Sequence, residues 1–249
     1  MRYLAKVAYD GTNFCGWQIQ NGQRTIQGVI EKALFLIAKT EIPVTGAGRT
    51  DAGVHALGQY FHFDFPLGMT ADQIKKALQT KLPYEIKIVA ILSVREDFHA
   101  RYQAIRRRYQ FIISQNPSPF NRDFAASFPG IKFDLDLMRS IADMFLGSHD
   151  FTSFSKFNPE IVSQICHIQE FVISEHQDEI ILQISADRFL HNMVRRITGC
   201  LINIMRKKEN PEIVKSLLAA KSTQNKLIST APAKGLYLLD VVYPPAFFL

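Results

Sequence analysis

The sequence predicts an α+β fold: two similar sheet-and-helix halves with a mostly antiparallel sheet. Segments of period-two apolar alternation outnumber those of helical periodicity, and several strand-like segments follow one another closely enough to pair as hairpins. The length agrees, since 249 residues that are 47% apolar bury a full core as one large domain or two halves of ordinary size.

Residues 2–9 alternate as a strand, and YDGTNFCGW (9–17) follows as a loop rich in Gly and Asn. In TIQGVIEKALFLIAKT (25–40), Ile26, Val29, Ile30, Ala33, Leu34 and Ile37 recur at helical spacing. EIPVT (41–45) reads as a short strand leading into the loop TGAGRTDAGVH (45–55). QYFHFDF (59–65) then alternates, with Phe61, Phe63 and Phe65 on one face and Tyr60, His62 and Asp64 on the other. TADQIKKALQT (70–80) opens on Thr70 as N-cap with Gln73 in the capping-box position, and IKIVAILSV (86–94) and RYQFIIS (108–114) are further strands. NPSPFNRDF (116–124) is the linker candidate, which divides the chain into halves 1–115 and 116–249, the first carrying the glycine-rich loop. The second half holds a helix at 134–147, a hairpin from 165–174 to 179–186, a long helix near 189–208, a short one at 211–220 and a last strand at 235–243.

Composition excludes several classes. The N-terminus is strand-like rather than a basic region followed by an apolar run, and no stretch reaches bilayer-spanning length, so the expectation is a cytoplasmic protein without a membrane anchor. Cys15, Cys166 and Cys200 are odd in number and far apart, which supports neither a disulfide framework nor a zinc ribbon and favours three small buried residues. The net charge of +6 suits a polyanionic partner, and its distribution is uneven. Basic residues gather in ARYQAIRRRYQ (100–110), DRFLHNMVRR (187–196) and MRKK (205–208), the first two interleaved with aromatic rings. Cations for phosphates and flat faces for bases are what single-stranded or splayed-out RNA requires.

The loop at 45–55 is permissive in backbone yet carries Arg49 and Asp51 at its centre. A dinucleotide site is excluded, because Asp51 stands where G-x-G-x-x-G requires glycine and no helical pattern opens behind it. A Walker loop lacks its Gly-Lys-Ser/Thr, and Ser153 and Ser155 near His149 and Asp150 lack nucleophile-elbow spacing. What remains is a loop of small residues presenting one carboxylate, with an arginine close enough in sequence to hold it as an anion for nucleophilic attack or proton abstraction. A surface turn with a structural Arg–Asp pair has the same spacing.

GRTDAGVHALGQ (48–59) resembles the signature loop of the tRNA pseudouridine synthase A family, in which the aspartate is the catalytic residue. DGTNFCGWQIQ, KLPYEIKI, FHARYQAIRRRYQFII, LGSHDFTSF, FLHNMVRRITG and APAKGLYLLDVVYP resemble further family segments in order, so the likeness runs nearly end to end. Glu85 stands where the family commonly has aspartate and Thr80 where it has asparagine.

The resemblance implies the pseudouridine synthase fold, two ferredoxin-like (RRM-like) halves sharing a mixed, mostly antiparallel sheet with helices on one side. It also implies isomerisation of uridine to pseudouridine at positions 38, 39 and 40 of the tRNA anticodon stem-loop, by a homodimer and without metal or other cofactor. Asp51 takes the catalytic role, by attack on the ribose C1′ or by removal of a sugar proton, and the two routes stand open. Tyr109 matches the tyrosine beneath the uracil ring, Leu236 an apolar residue near the target base, and Arg195 the arginine that pairs with the aspartate; Arg49 or Arg195 orients the carboxylate. Arg101, Arg106, Arg107, Arg108 and Arg196 are expected to track the RNA backbone, while His55, His62 and His191 read as structural or RNA-contacting. Two rivals stand beside this reading. One is a related synthase acting on another RNA; the other is a non-catalytic RNA-binding protein, for which neither QYFHFDF nor RRYQFII fits the RNP consensus.

Overall fold

The computed structural model describes residues 1–66, 68–156, 158 and 161–249. Its elements run β1 (Arg2–Tyr9), α1 (Ile26–Ala38), β2 (Thr45–Gly46), β3 (His55–Asp64), α2 (Ala71–Gln79), β4 (Ile86–Ser93), β5 (Arg106–Ser114), α3 (Leu135–Asp143), β6 (Gly147–Asp150), β7 (Ile165–His176), β8 (Glu179–Ala186), α4 (Met193–Lys207), α5 (Ile213–Ala220) and β9 (Leu236–Val242). The architecture is α+β and mostly antiparallel in its sheet, as the alternation predicts. Helix starts follow their caps: Thr25 accepts from the Gly28 N–H, and Thr70 and Gln73 complete a reciprocal capping box.

By internal contacts the chain forms two units, Met1–Ile105 with Tyr237–Leu249, and Arg106–Leu236. The sequence divides it instead into consecutive halves at residue 115, and β5 and β9 make the difference. The turn-rich segment 116–124 is tied at both ends within the second unit: Ser114 N–H donates to the Ala126 carbonyl (2.7 Å) and Gln115 N–H to that of Asp178 (2.7 Å). Turn composition there marks a solvent-facing loop rather than a boundary.

In the first unit the strand order is β4-β1-β3-β9, antiparallel except for β3 with β9, which pair His55 with Tyr237 and Ala56 with Leu238 in parallel. Phe61, Phe63 and Phe65 are fully buried on one face of β3, as their spacing requires. His62 on the opposite face is buried too, because residues 97–103 lie over it and the Ala100 N–H donates to its Nδ1 (3.1 Å). The expected strand at 41–45 shrinks to β2. Pro43 has no N–H to give a ladder, and Val44 turns its backbone to α1, donating to Glu31 Oε1 (2.9 Å) and accepting from Gln27 Nε2 (3.2 Å).

In the second unit the order is β5-β8-β7-β6, all antiparallel. The long helix expected from residue 189 begins only at Met193. Asn192, at φ 62°, is left-handed and ends the preceding turn. Buried Ile197, Cys200, Leu201 and Ile204 then form the inward stripe of α4.

Candidate active site

The glycine-rich loop leaves β3's edge just after β2 and returns as β3's first residue. Gly46 pairs with Phe61, the Ala47 N–H still reaches the Tyr60 carbonyl (2.7 Å), and His55 opens β3. Between them, the loop is braced by the earlier loop at residues 10–17. The Trp17 N–H donates to the Thr50 carbonyl (3.0 Å), the Gly53 N–H to the Phe14 carbonyl (3.2 Å) and the Gly11 N–H to His55 Nδ1 (3.2 Å). The Thr50 hydroxyl is buried against the Tyr9 hydroxyl at 2.8 Å. Asp51 to Val54 form a β-turn closed by Val54 N–H on the Asp51 carbonyl (3.2 Å), and Gly53 at φ 75° supplies the positive dihedral that its third position needs.

Asp51 therefore projects from a backbone fixed on both sides. Its side chain is partly buried. A carboxylate on a fixed backbone is suited to attack or deprotonate a group brought to it. Arg49 is exposed and makes no ion pair or hydrogen bond among the described residues, so the Arg49–Asp51 pair suggested by their spacing does not form. His55 is buried; its ring stacks on Tyr237 (4.7 Å between centroids), and its Nδ1 lies 3.2 Å from Asp10 Oδ1. That is a bracing role for the loop, in line with its structural reading. The sequence marks 9–17 as a loop but not as the brace. Its signal is Phe14 and Trp17 in an otherwise polar, glycine-bearing segment, rings that a solvent loop does not need.

In the second unit, Tyr109 pairs with Ile184 across β5 and β8 and shares its face with buried Phe111 and Ile113. Phe189 meets its ring edge-on at 5.1 Å, leaving it half-buried. Arg107 lies on the same face and donates from Nη1 to the Asp187 carbonyl (2.7 Å). Arg106 and Arg108 lie on the opposite face, half-exposed, with no hydrogen bond or ion pair among the described residues. Arg195 is held on α4 by Nε to the Ala231 carbonyl (2.8 Å) and Nη1 to Asn192 Oδ1 (3.2 Å). Left-handed Asn192 thus both starts the helix and orients its arginine. Leu236 is buried at the start of β9.

Arg196, grouped by sequence with the RNA-tracking arginines, turns into the protein instead. Its Nη2 donates to the carbonyls of Ser153 (3.0 Å) and Thr223 (3.1 Å), its Nε is buried, and burial pulls its pKa down. Arg101, in the first unit, is exposed beside the Tyr102 ring, and His191 is exposed in the second. Among the described residues no cluster of His, Cys, Asp or Glu could hold a metal ion. Cys166 and Cys200 are buried and their thiols pushed up to about 12 by burial, whereas Cys15 is only partly covered and donates to Gln23 Oε1 (3.0 Å). Ser153 accepts from the Ser222 N–H (3.0 Å), and Asp150 accepts from the N–H and hydroxyl of Thr152 (3.0 and 2.6 Å). The Asp150 contacts are a local cap, whereas that of Ser153 comes from a distant segment. No helix is long and apolar enough to cross a membrane among the described residues.

A family model described as tRNA pseudouridine synthase matches residues 5–103 and 141–244. Curated relatives agree along the whole chain. A tRNA pseudouridine synthase A of Listeria monocytogenes serotype 4a is 37% identical over 246 residues, 97% of this chain and 99% of its own. That of Bacillus pumilus is 38% identical, covering 98% and 99%, and that of an Exiguobacterium species is 40% identical, covering 95% and 96%. With the model matching most of the sequence and relatives of this identity spanning both chains, the protein belongs to the tRNA pseudouridine synthase family.

Proposed function

We propose that this protein isomerises uridine to pseudouridine in tRNA, at positions 38, 39 and 40 of the anticodon stem-loop, with Asp51 as the catalytic carboxylate. The observation that carries the reading is the fixed loop: Thr50 is held by Tyr9 and Trp17, Gly53 by Phe14, and Asp51 lies between them. The reaction breaks the N1–C1′ bond, forms a C5–C1′ bond, and moves the proton lost from C5 to N1, so atoms and electrons balance without an imported group. The chemistry therefore requires no cofactor. Asp51 starts it either by attacking C1′ or by removing a sugar proton. The family resemblance gives Tyr109 and Leu236 to recognition of the base and Arg195, which Asn192 and Ala231 orient, to support of the carboxylate. Arg101, Arg106, Arg107 and Arg108 contact phosphates, and the target nucleotide leaves its stem to reach Asp51. The protein works in the cytoplasm as a homodimer, one tRNA touching both subunits.

The test is incubation of purified protein with unmodified tRNA carrying uridines at 38–40, with chelator and without ATP, scoring pseudouridine at each position. Product at those uridines is expected. Asp51→Asn removes the charge with little change of shape. It is predicted to lower the single-turnover rate by at least about a hundredfold while tRNA affinity stays within a few-fold. A variant as fast as the parent sinks the role of Asp51, and product only at other uridines moves the substrate site.

A further inference from the structure

The segment before β5 carries a column of rings that ends in solvent. At its base is His62, buried on β3 and fixed by the Ala100 N–H on its Nδ1. The His99 ring lies 4.9 Å from it, and the Tyr102 ring 4.3 Å from His99 with an interplanar angle of 32°. Tyr102 is 76% exposed, so its ring is open to water where neither His99 nor the Arg101 guanidinium over it lies.

The column is held by a tight turn. His99 Nδ1 accepts from the N–H groups of Arg101 (3.1 Å) and Tyr102 (3.4 Å), and the His99 N–H donates to Gln103 Oε1 (2.5 Å). Gln103 Nε2 in turn donates to the Asp97 carbonyl (3.2 Å). Both histidines are pushed toward the neutral form, His62 to about 4, with burial the largest cause in each case. Neutral rings stack without repelling the cations near them.

Single exposed rings are ordinary on protein surfaces. Tyr84 and Phe120, each 93% exposed, have no ring contact among the described residues. Tyr102 differs in being held against a second ring and in having the Arg101 guanidinium 5.7 Å from its centroid. A preordered flat face with an adjacent cation is complementary to a nucleobase and its phosphate.

We infer that the outer face of Tyr102 is a stacking site for an unpaired base of the RNA substrate, with Arg101 at that nucleotide's phosphate. The inference rests on the reading of the protein as an enzyme of tRNA. The occupant is a base rather than an apolar protein side chain because the ring ends a column of neutral aromatics beside a cation.

The experiment measures Kd for unmodified tRNA over a salt series for the parent, Tyr102→Ala, Tyr102→Phe and Arg101→Ala, with thermal melts to verify folding. Tyr102→Ala is expected to raise Kd about tenfold or more with an unchanged salt slope, because stacking releases no counterions. Tyr102→Phe keeps the ring and is expected within about twofold of the parent. Arg101→Ala is expected to flatten the salt slope by about one contact. A folded Tyr102→Ala that binds like a binding parent overturns the stacking site alone, and so does a Tyr102→Phe as weak as Tyr102→Ala, since the hydroxyl would then be the contact. A parent that binds no tRNA overturns the substrate reading and the stacking site together.

Discussion

At the residue scale, His62 lies under residues 97–103, and burial is the largest cause that pulls its pKa from 6.5 to about 4. Positive charge at Arg2 and His99 adds to the shift, and Asp64 opposes it without prevailing. A histidine whose folded pKa is lowered binds fewer protons folded than unfolded between those two values. Its contribution to stability is therefore complete above about pH 6.5 and is lost as pH falls toward 4. Denaturant midpoints measured from pH 7 to 4.5 are predicted to fall through this window, and His62→Gln to flatten the fall. A profile of equal steepness in the variant assigns the loss to other groups. What the sequence conveyed at this scale was residue type and spacing. Asp51 stands out because one carboxylate sits among small residues, but Arg49, two residues before it, points to solvent because loop spacing does not set side-chain direction. Arg196 adjoins Arg195 in sequence, yet about 100° around a helix separates neighbours, and it turns to the Ser153 and Thr223 carbonyls instead.

At the scale of elements, helices with their own caps were legible, while segments whose backbone partners lie on another element were not. The capping box at Thr70 and Gln73 is a local signal, whereas 41–45 lost its ladder to Gln27 and Glu31 on α1, which its own residues do not reveal. The brace under the glycine-rich loop is non-local in the same way, and Gly16 is one of its tight points. Gly16 has φ 86°, and a Cβ there would lie 2.5 Å from the Thr50 carbonyl oxygen and 3.1 Å from the Asp51 carbonyl carbon. Gly48, in the loop itself, has open space around its missing Cβ. Gly16→Ala is thus predicted to lower stability by at least about 1–3 kcal/mol, through strain and a forced shift of the loop, and to slow pseudouridine formation more than tenfold. Gly48→Ala is predicted to melt within about 0.5 kcal/mol of the parent. Thermal unfolding of both variants checks the pair, and equal losses at the two positions contradict the brace.

At the scale of the whole molecule, the α+β class was legible from alternation, but the order in which the chain completes its units was not. Turn composition at 116–124 suggests a border, whereas the first unit is finished by the last residues of the chain. Beyond β2 the edge of β3 has no neighbour until β9 arrives in parallel, a pairing that no hairpin signal announces. The returning segment contributes the Tyr237 ring on His55 and Asp240 for Lys6 Nζ (2.9 Å) and the Tyr60 hydroxyl (3.1 Å). It also supplies a buried Tyr243 hydroxyl bond to the Ala100 carbonyl (2.8 Å), and its end bridges Val94 to Phe248. His55 closes the glycine-rich loop, so this strand supports the proposed site as well as the sheet. A chain ending at residue 236 therefore loses a strand, a ring stack, an ion pair and two buried or partly buried hydrogen bonds from one unit. We predict that the truncated chain unfolds in two steps rather than one, with residues 1–105 losing protection from hydrogen exchange while β5, β7 and β8 retain it. It is also predicted to form no pseudouridine. Protection of β1 and β3 equal to the full chain's would mean that the first unit holds its sheet without β9, and that the C-terminal strand does not set the position of His55.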